Sequence, residues 1–252
     1  MADNEFVEVP LEGLLNQTYL QQRAQLINPS KAIESVSAGD PWQFNQASKV
    51  AYGVDATNDV AGTTHFVVVD GDGNVVSLTA SVESIFGSTR MAAGMFLNNQ
   101  LTDFSFKPVD QSGKSIANKV EANKRPRSSM SPTIVLDEDG EFLMATGSPG
   151  GNSIIAYTTK TLVGVLDWGL SPQQAVELPN MVARNNRLRI EKDRAASELI
   201  DALRANGFKV KESAGENSGL SVVYRHDDGR LEGGVDSRRE GVIELVNLGS
   251  SD

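Results

Sequence analysis

A threonine that directly follows a glycine, in the sequence Gly62-Thr63-Thr64, opens a β-branched run near the first quarter of the chain. A threonine hydroxyl is a weak nucleophile unless a base lies beside it, and one solution is a threonine whose own free α-amine is that base. Such an amine titrates at about 7.7–8.0, which suits proton transfer near neutral pH. An internal threonine gains this amine only when the preceding peptide bond breaks, typically through attack of its own hydroxyl on the preceding carbonyl. Gly62 suits that step because a residue without a Cβ tolerates the close approach, although the motif alone is weak evidence.

A glycine-rich segment, GSPGG at residues 147–151, lies between a predicted strand and a predicted helix start. The bare N–H groups of consecutive glycines, together with the positive end of a helix, can stabilise the oxyanion of an acyl-transfer intermediate. The same segment is equally compatible with a tight strand-to-helix turn that has no chemical role. Both interpretations stay open at this stage.

Two polar segments can hold the two ends of an amino acid. The first, LNNQLTDF at residues 97–104, offers the carboxylate of Asp103 beside several amides. The second, RSSMSP at residues 127–132, offers the adjacent hydroxyls of Ser128 and Ser129. We expect an ammonium group to bind at Asp103 and an α-carboxylate at the serine pair.

Strand pairs and helix pairs must position these residues. The predicted strands are 63–70 and 75–82, joined by a GDGN turn, and 133–136 and 142–146, joined by a second turn. The predicted helices are a short one capped by Asn16, 152–168 ending at Gly169, one opened by the Ser171-Pro172-Gln173-Gln174 capping box, and 195–206. Residues 28–61 have poor periodicity and are predicted to be a long surface connection, which is often a functional or processing region. This pattern predicts an α/β chain in which sheets are covered by helical layers.

Composition excludes several kinds of chemistry. The 252 residues contain no cysteine and two histidines, which excludes a thiol nucleophile and a thiolate metal site and disfavours any metal centre. A net charge of −10 disfavours nucleic acid and anionic membranes as partners. No run is apolar enough to span a membrane, and we expect no signal peptide at the start of this chain. The length predicts one to two domains, and hydroxyls, amides, carboxylates or a backbone amine are left to do any chemistry.

Taken together and in order, the motifs resemble one family. TTHFVVVDGDGNVVS, FGS, FLNNQLTDFS, KRPRSSMSPTIV and ATGSPGG are similar to the small catalytic subunit of the γ-glutamyltranspeptidases (glutathione hydrolases). FVEVPLEGLL is similar to the end of that family's large subunit. The resemblance therefore divides the chain into a large-subunit tail, residues 1–62, and a small catalytic subunit, residues 63–252.

The resemblance also implies a role for each matching position. The implied catalytic residues are Thr63, Ser81, Gly150 and Gly151. The implied substrate-binding residues are Glu83, Gln100, Asp103, Ser128 and Ser129. The implied processing residues are Gly62, Thr63 and Thr64. Ser81 stands where the family usually has a threonine that hydrogen-bonds the nucleophile, and Glu83 stands where many members have asparagine and some have glutamate.

The implied reaction is ping-pong γ-glutamyl transfer and hydrolysis, without a metal or other cofactor. Thr63, freed by autocatalytic cleavage, takes the γ-glutamyl group of a peptide such as glutathione as an ester, and water or an acceptor amino acid then receives it. The implied fold is the four-layer αββα sandwich of the N-terminal-nucleophile hydrolases, here incomplete. The missing large-subunit portion would be the partner, and the family draws from it an arginine for the substrate α-carboxylate.

Three alternatives remain open on the sequence. The chain could belong to a related acylase of the cephalosporin type, to a poly-γ-glutamate transferase, or to a catalytically silent, unprocessed fragment that needs a partner chain. Asp103 with Ser128 and Ser129 favours an α-amino acid head group and hence glutathione-like substrates. The sequence leaves open whether the chain forms a homo-oligomer, and it assigns no compartment, although the family is often periplasmic or secreted.

Overall fold

The computed structural model describes residues 2–57, 62–216 and 218–246. The α-helices of these residues are α1 (Leu11–Leu14), α2 (Gln17–Ala24), α3 (Ile154–Leu166), α4 (Pro172–Glu177) and α5 (Ser197–Ala205). The strands are β1 (Thr63–Val69), β2 (Val75–Ser81), β3 (Met91–Ala92), β4 (Met95–Phe96), β5 (Thr133–Leu136), β6 (Phe142–Gly147), β7 (Met181–Arg184), β8 (Arg187–Glu191), β9 (Lys209–Ser213), β10 (Ser221–Arg225) and β11 (Leu231–Val235). Three short 3-10 helices occupy Pro41–Phe44, Gln100–Asp103 and Gly151–Ser153.

The first predicted hairpin is confirmed. β1 and β2 pair antiparallel from Val69 opposite Val75 to Thr63 opposite Ser81. The Asp70 carboxylate closes the turn by accepting hydrogen bonds from the backbone of Asp72 and Asn74. This register fixes Thr63 and Ser81 as neighbours at the open end of the hairpin.

The second predicted hairpin, β5 and β6, is also confirmed and lies inside a four-stranded antiparallel sheet of order β11-β10-β6-β5. One face of the β1–β2 hairpin packs on this sheet, and α3 and α4 cover the sheet's other face. The core between that sheet and the helices is built from buried apolar side chains, namely Met144, Tyr157, Val165, Ala175, Val176, Val182, Leu220 and Val222. The capping box of α4 is confirmed, because Ser171 Oγ accepts from Gln174 N–H and the Gln174 side chain accepts from the Ser171 N–H.

The described residues thus form a mixed α/β structure in which the hairpin, the sheet and the helices pack in that order. The four-layer sandwich, which the resemblance implied in incomplete form, stays a prediction. The outer face of the hairpin, with Phe66 and Val68 of β1 and Val76 and Leu78 of β2, is exposed. A separate three-stranded sheet, β7-β8-β9, packs against α5 through β9. Its β8–β9 pair is parallel, which the sequence pattern did not predict.

Two helix boundaries differ from the predictions. The predicted helix 152–168 begins as a 3-10 turn, so α3 starts at Ile154, and α5 is shorter than the predicted 195–206. The Asn16 cap of α2 is confirmed by its bond from the Tyr19 N–H. In the described part of the chain, α2 has no buried residue, and its Leu20 is 43% exposed.

The long connection predicted at residues 28–61 is irregular as far as it is described, apart from Pro41–Phe44, and its residues 58–61 lie outside the described residues. It is attached to the rest of the chain at separate points. The Ala32 N–H donates to the Asn206 carbonyl at 2.6 Å, and the Val36 N–H donates to Asn185 Oδ1 at 2.9 Å. Near the start of the chain, Arg125 holds the carboxylate of Asp3 with its Nε and Nη2.

Candidate functional site

Thr63 lies at the start of β1, directly opposite Ser81 at the end of β2. Their hydroxyl oxygens are 3.0 Å apart. Ser81 Oγ is also 3.1 Å from the Gly62 carbonyl oxygen and accepts the Glu83 N–H at 2.8 Å. A hydroxyl has one hydrogen to donate, and the Gly62 carbonyl can only accept, so Ser81 donates to Gly62 and accepts from Thr63. The result is a directed chain from the Thr63 hydroxyl through Ser81 to the carbonyl of the preceding peptide.

The Gly62 carbonyl has a second donor. The Val82 N–H reaches the same oxygen at 3.2 Å. Two donors on one carbonyl oxygen favour negative charge there, which attack on the carbonyl carbon would create. Gly62 is also held closely, because a Cβ at this position would lie 2.6 Å from the Glu83 carbonyl oxygen and 2.7 Å from the backbone of Ser84. A residue with a Cβ at this position would therefore require the backbone at Gly62 or at Glu83 and Ser84 to shift.

Thr64 does not join this group. Side chains alternate along a strand, and Thr64 lies on the exposed outer face of the hairpin opposite Ala80.

Arg239 was not predicted from the sequence, and its Nη1 donates to the Thr63 carbonyl oxygen at 3.0 Å. No local motif marks Arg239, because its contact spans 176 residues of sequence.

One end of the site carries two carboxylates. Glu83 is 4% exposed and accepts a hydrogen bond from Asn99 Nδ2. The 3-10 helix Gln100–Asp103 brings Gln100 Nε2 onto the Asp103 carboxylate. The structure therefore brings three predicted binding residues together, and it adds Asn99, which also fixes Ser84 through bonds to its N–H and Oγ.

The other end carries the predicted serine pair and a guanidinium. Ser128 Oγ accepts the Met130 N–H at 3.1 Å. Arg127 precedes this pair, and its backbone N–H donates to Asn118 Oδ1 at 2.9 Å. Asn118 is 1% exposed and donates from Nδ2 to the Asp103 carbonyl at 2.7 Å. One buried amide thus ties the two ends of the site together, and local sequence patterns gave no signal for it.

The predicted glycine pair divides between two clefts. Gly150 and Gly151 have φ values of 136° and 57°, which only glycine adopts readily. Gly151 lines the same cleft as Thr63, whereas Gly150 lines a neighbouring cleft with Tyr157, Arg189 and Glu216. In that neighbouring cleft Arg189 holds Glu216 and also donates to Ser153 Oγ at 3.1 Å, in the turn that follows the glycines.

The cleft that contains Thr63 has a cavity volume of about 40 Å³ and is partly open to solvent. It is lined by most of the predicted site residues and three others, namely Thr63, Ser81, Glu83, Gln100, Asp103, Arg127, Ser128, Ser129, Met130, Gly151 and Ile154. Carboxylates at one end and hydroxyls with a guanidinium at the other complement the ammonium and carboxylate of an amino acid. The cleft is thus chemically suited to an α-amino acid head group and contains a threonine hydroxyl.

Neither a metal centre nor a membrane span is evident in the described parts of the chain. Residues 2–57, 62–216 and 218–246 contain no group of three or more histidine, aspartate or glutamate side chains placed to hold a metal ion. None of the helices in these ranges has the length and apolar character needed to cross a membrane.

Comparison with known proteins gives consistent matches. The family profile described as gamma-glutamyltranspeptidase matches residues 1–246. The glutathione hydrolase proenzyme of Bacillus subtilis (strain 168) is 38% identical over 252 residues, covering 98% of this chain and 42% of that protein. The chain thus spans about two fifths of the length of this and similar curated relatives.

Solved structures of the same family also match this chain. A mutant of the Helicobacter pylori γ-glutamyltranspeptidase is 34% identical with a TM-score of 0.62, and the match covers 70% of this chain and 100% of that one. A cephalosporin acylase from Bacillus halodurans has a TM-score of 0.78 over 98% of this chain and 41% of that one. Its identity of 22% makes this a likeness of fold alone.

Proposed function

This chain belongs to the γ-glutamyltranspeptidase family, and on that premise we propose that it carries the Thr63 nucleophile of a γ-glutamyl transferase and hydrolase. The observation that supports this most directly is the directed hydrogen-bond chain from the Thr63 hydroxyl through Ser81 to the Gly62 carbonyl. It joins the proposed nucleophile to the bond that must break before the nucleophile can gain its amine.

Self-cleavage is the first step of this proposal. Thr63 Oγ1 attacks the Gly62 carbonyl carbon, and the negative charge on the carbonyl oxygen is stabilised by the Val82 N–H and the Ser81 hydroxyl. The C–N bond then breaks and its nitrogen takes up the proton that the Thr63 hydroxyl loses, so that the Gly62 acyl group is an ester on Thr63 and the Thr63 amine is free. Water hydrolyses this ester to a Gly62 carboxylate and a free Thr63 hydroxyl.

Turnover uses the same hydroxyl. The α-amine of Thr63 takes the hydroxyl proton while the oxygen attacks the γ-carbonyl of the substrate, and the amine product leaves with a proton. Backbone N–H groups of Gly151 and Gly150 are proposed to stabilise the oxyanion. Water, or the amino group of an acceptor amino acid, then receives the γ-glutamyl group from the ester.

The polar side chains that line the cleft support a γ-glutamyl substrate such as glutathione. Glu83 and Asp103, with Gln100, are proposed to bind the α-ammonium group, while Ser128 and Ser129 bind the α-carboxylate. A related acylase or poly-γ-glutamate transferase is the alternative within acyl chemistry, and the likeness of fold to a cephalosporin acylase is compatible with it. An acylase for substrates without an α-amino acid head group gives no reason for two carboxylates at this end of the cleft.

We further propose that residues 1–62 are the tail of a large subunit, that residues 63–252 are the small subunit, and that a separate large-subunit portion completes the enzyme. The exposed outer face of the β1–β2 hairpin supports a missing layer at that position. Without that portion, the chain could remain a silent, unprocessed fragment.

Denaturing gel electrophoresis and a chromogenic assay test these proposals together. Wild-type protein is expected to give two bands that separate at Thr63 and to release the amine from a γ-glutamyl anilide. Thr63→Ala is expected to give one band and no release, because it lacks the hydroxyl. Cleavage without anilide turnover would support the need for a further subunit, whereas a single wild-type band with no turnover would support the silent fragment and contradict the catalytic proposal for this chain.

A further inference from the structure

Arg127 is the guanidinium that lines the cleft beside Ser128 and Ser129. Its side chain is 18% exposed, and it is held by residues that precede the scissile bond. Nη1 donates to Asp55 Oδ2 at 3.0 Å, and Nη2 donates to the Thr57 carbonyl at 2.9 Å. The Arg127 guanidinium in the cleft is thus paired with the carboxylate of Asp55 in the same chain.

These partners belong to a linker segment, residues 53–57, that is fastened beside the cleft. The Gly53 N–H donates to the Ser115 carbonyl at 2.8 Å, and the Val54 N–H donates to Asp110 Oδ2 at 3.3 Å. Thr57 Oγ1 accepts the Phe106 N–H at 3.3 Å. The segment ends five residues before Gly62 and is joined to β1 through the bond proposed to break. Cleavage would give the segment a free end and remove that constraint.

Asp55 has the properties of an internal carboxylate ligand. Burial disfavours its charge, but the Thr57 N–H, which donates to Asp55 Oδ1 at 3.0 Å, the nearby Ser105 hydroxyl and the charge of Arg127 outweigh burial and lower the pKa of its carboxyl. Asp55 is therefore ionised at neutral pH. A substrate carboxylate that replaced Asp55 on Arg127 would keep a charge-assisted hydrogen bond to this partly buried guanidinium.

We infer that Arg127 binds the α-carboxylate of the γ-glutamyl substrate, together with Ser128 and Ser129, and that Asp55 occupies Arg127 until the linker segment is released. The inference rests on the proposed function, and it assigns a specificity residue within this chain in addition to any arginine that a large-subunit portion supplies. In the uncleaved chain, Asp55 then fills the site for the substrate carboxylate, and in the cleaved chain this site is open.

The test measures binding of L-glutamate by isothermal titration calorimetry to the uncleavable Thr63→Ala protein. Adding Asp55→Asn is expected to tighten binding about tenfold, since it removes the competing charged ligand. Adding Arg127→Leu to that variant should abolish the gain. γ-Aminobutyrate, which lacks the α-carboxylate, should show no gain in either protein.

Asp110→Asn is the matched control, because it loosens the same linker segment without changing the guanidinium's carboxylate partner. An equal gain with Asp110→Asn, a gain that survives Arg127→Leu, or no gain with Asp55→Asn would overturn the inference. Thermal unfolding of each variant shows that it is folded. Since this binding assay needs neither cleavage nor turnover, its outcome is separate from that of the γ-glutamyl anilide assay.

A second measurement applies if the double variants do not fold. In cleaved protein, Arg127→Lys keeps the charge but loses the planar pair of donors. We expect it to raise KM for the γ-glutamyl anilide about tenfold and to change kcat less than about twofold. A role confined to holding the linker segment would leave KM unchanged, and that result would also overturn the inference.

Discussion

At the scale of single residues, Ser81 makes three hydrogen bonds that connect the residues around Thr63. Its hydroxyl contacts Thr63 Oγ1, the Gly62 carbonyl and the Glu83 N–H, which uses its one donor and both acceptor positions. It therefore both orients the hydroxyl of the proposed nucleophile and polarises the carbonyl that this hydroxyl is proposed to attack. Serine and threonine serve equally for these contacts, which explains why a serine is compatible with this position.

We predict that Ser81→Ala slows cleavage at Gly62–Thr63 about 100-fold, because it removes one of two donors to the developing oxyanion. The fraction of cleaved chain, followed on denaturing gels over time, measures this effect. Ser77→Ala is the matched control, since Ser77 lies on the same face of β2 and its hydroxyl donates to the Thr146 carbonyl at 3.2 Å. Equal slowing by both variants would assign the effect to the strand rather than to the hydroxyl.

At the scale of elements, the contact between the β1–β2 hairpin and β6 sets the distance from Thr63 to the glycine turn. His65, 6% exposed, fills this contact and bonds through Nδ1 to Thr79 Oγ1 at 2.8 Å. Burial lowers the pKa of His65 to about 4, so the ring is neutral at neutral pH. It lies directly against Gly147, the last residue of β6.

We predict that Gly147→Ala destabilises the protein by about 1–3 kcal/mol, as expected for overpacking of a filled core. The new Cβ would lie within 2.8 Å of both ring nitrogens of His65, so the hairpin must move away from β6. Urea unfolding measures the loss, and cleavage at Thr63 should slow in the same variant. Gly71→Ala, at an open turn position where a Cβ meets no atom within 4 Å, should change neither quantity.

At the scale of the whole molecule, one apolar surface stands out. The outer face of the β1–β2 hairpin exposes Phe66, Val68, Val76 and Leu78, which are between 39% and 51% exposed. A contiguous apolar face of this kind is typical of a surface that another layer covers. The chain spans about two fifths of its curated relatives, so the proposed large-subunit portion has ample length to provide that layer.

We predict that the double variant Val68→Thr, Val76→Thr lowers both self-association and dye binding of the isolated chain, because it makes the centre of this face polar. Sedimentation velocity and fluorescence of a hydrophobic dye measure the two effects. The control is Val120→Thr with Leu136→Thr, which changes two somewhat more exposed apolar residues elsewhere. If the control lowers association as much, the hairpin face has no special role.

Much of the local structure and the membership of the site follow from sequence. Alternation and turn residues predicted both hairpins, and the capping residues predicted the starts of α2 and α4. Of the residues that line the cleft, all except Arg127, Met130 and Ile154 are predicted site residues, whereas the predicted residues Gly62, Thr64 and Gly150 do not line it. These features depend on residues a few positions apart, where backbone propensity and side-chain caps decide the conformation.

The sequence by itself determined the family, the two hairpins and the candidate nucleophile, because each is specified by a short pattern of neighbouring residues. Only the tertiary structure decided that Ser81 joins Thr63 to the Gly62 carbonyl, that Thr64 faces outward and that Asp55 holds Arg127. These contacts join residues up to 72 positions apart, so they depend on how the sheet, hairpin and connection pack, which no local pattern encodes.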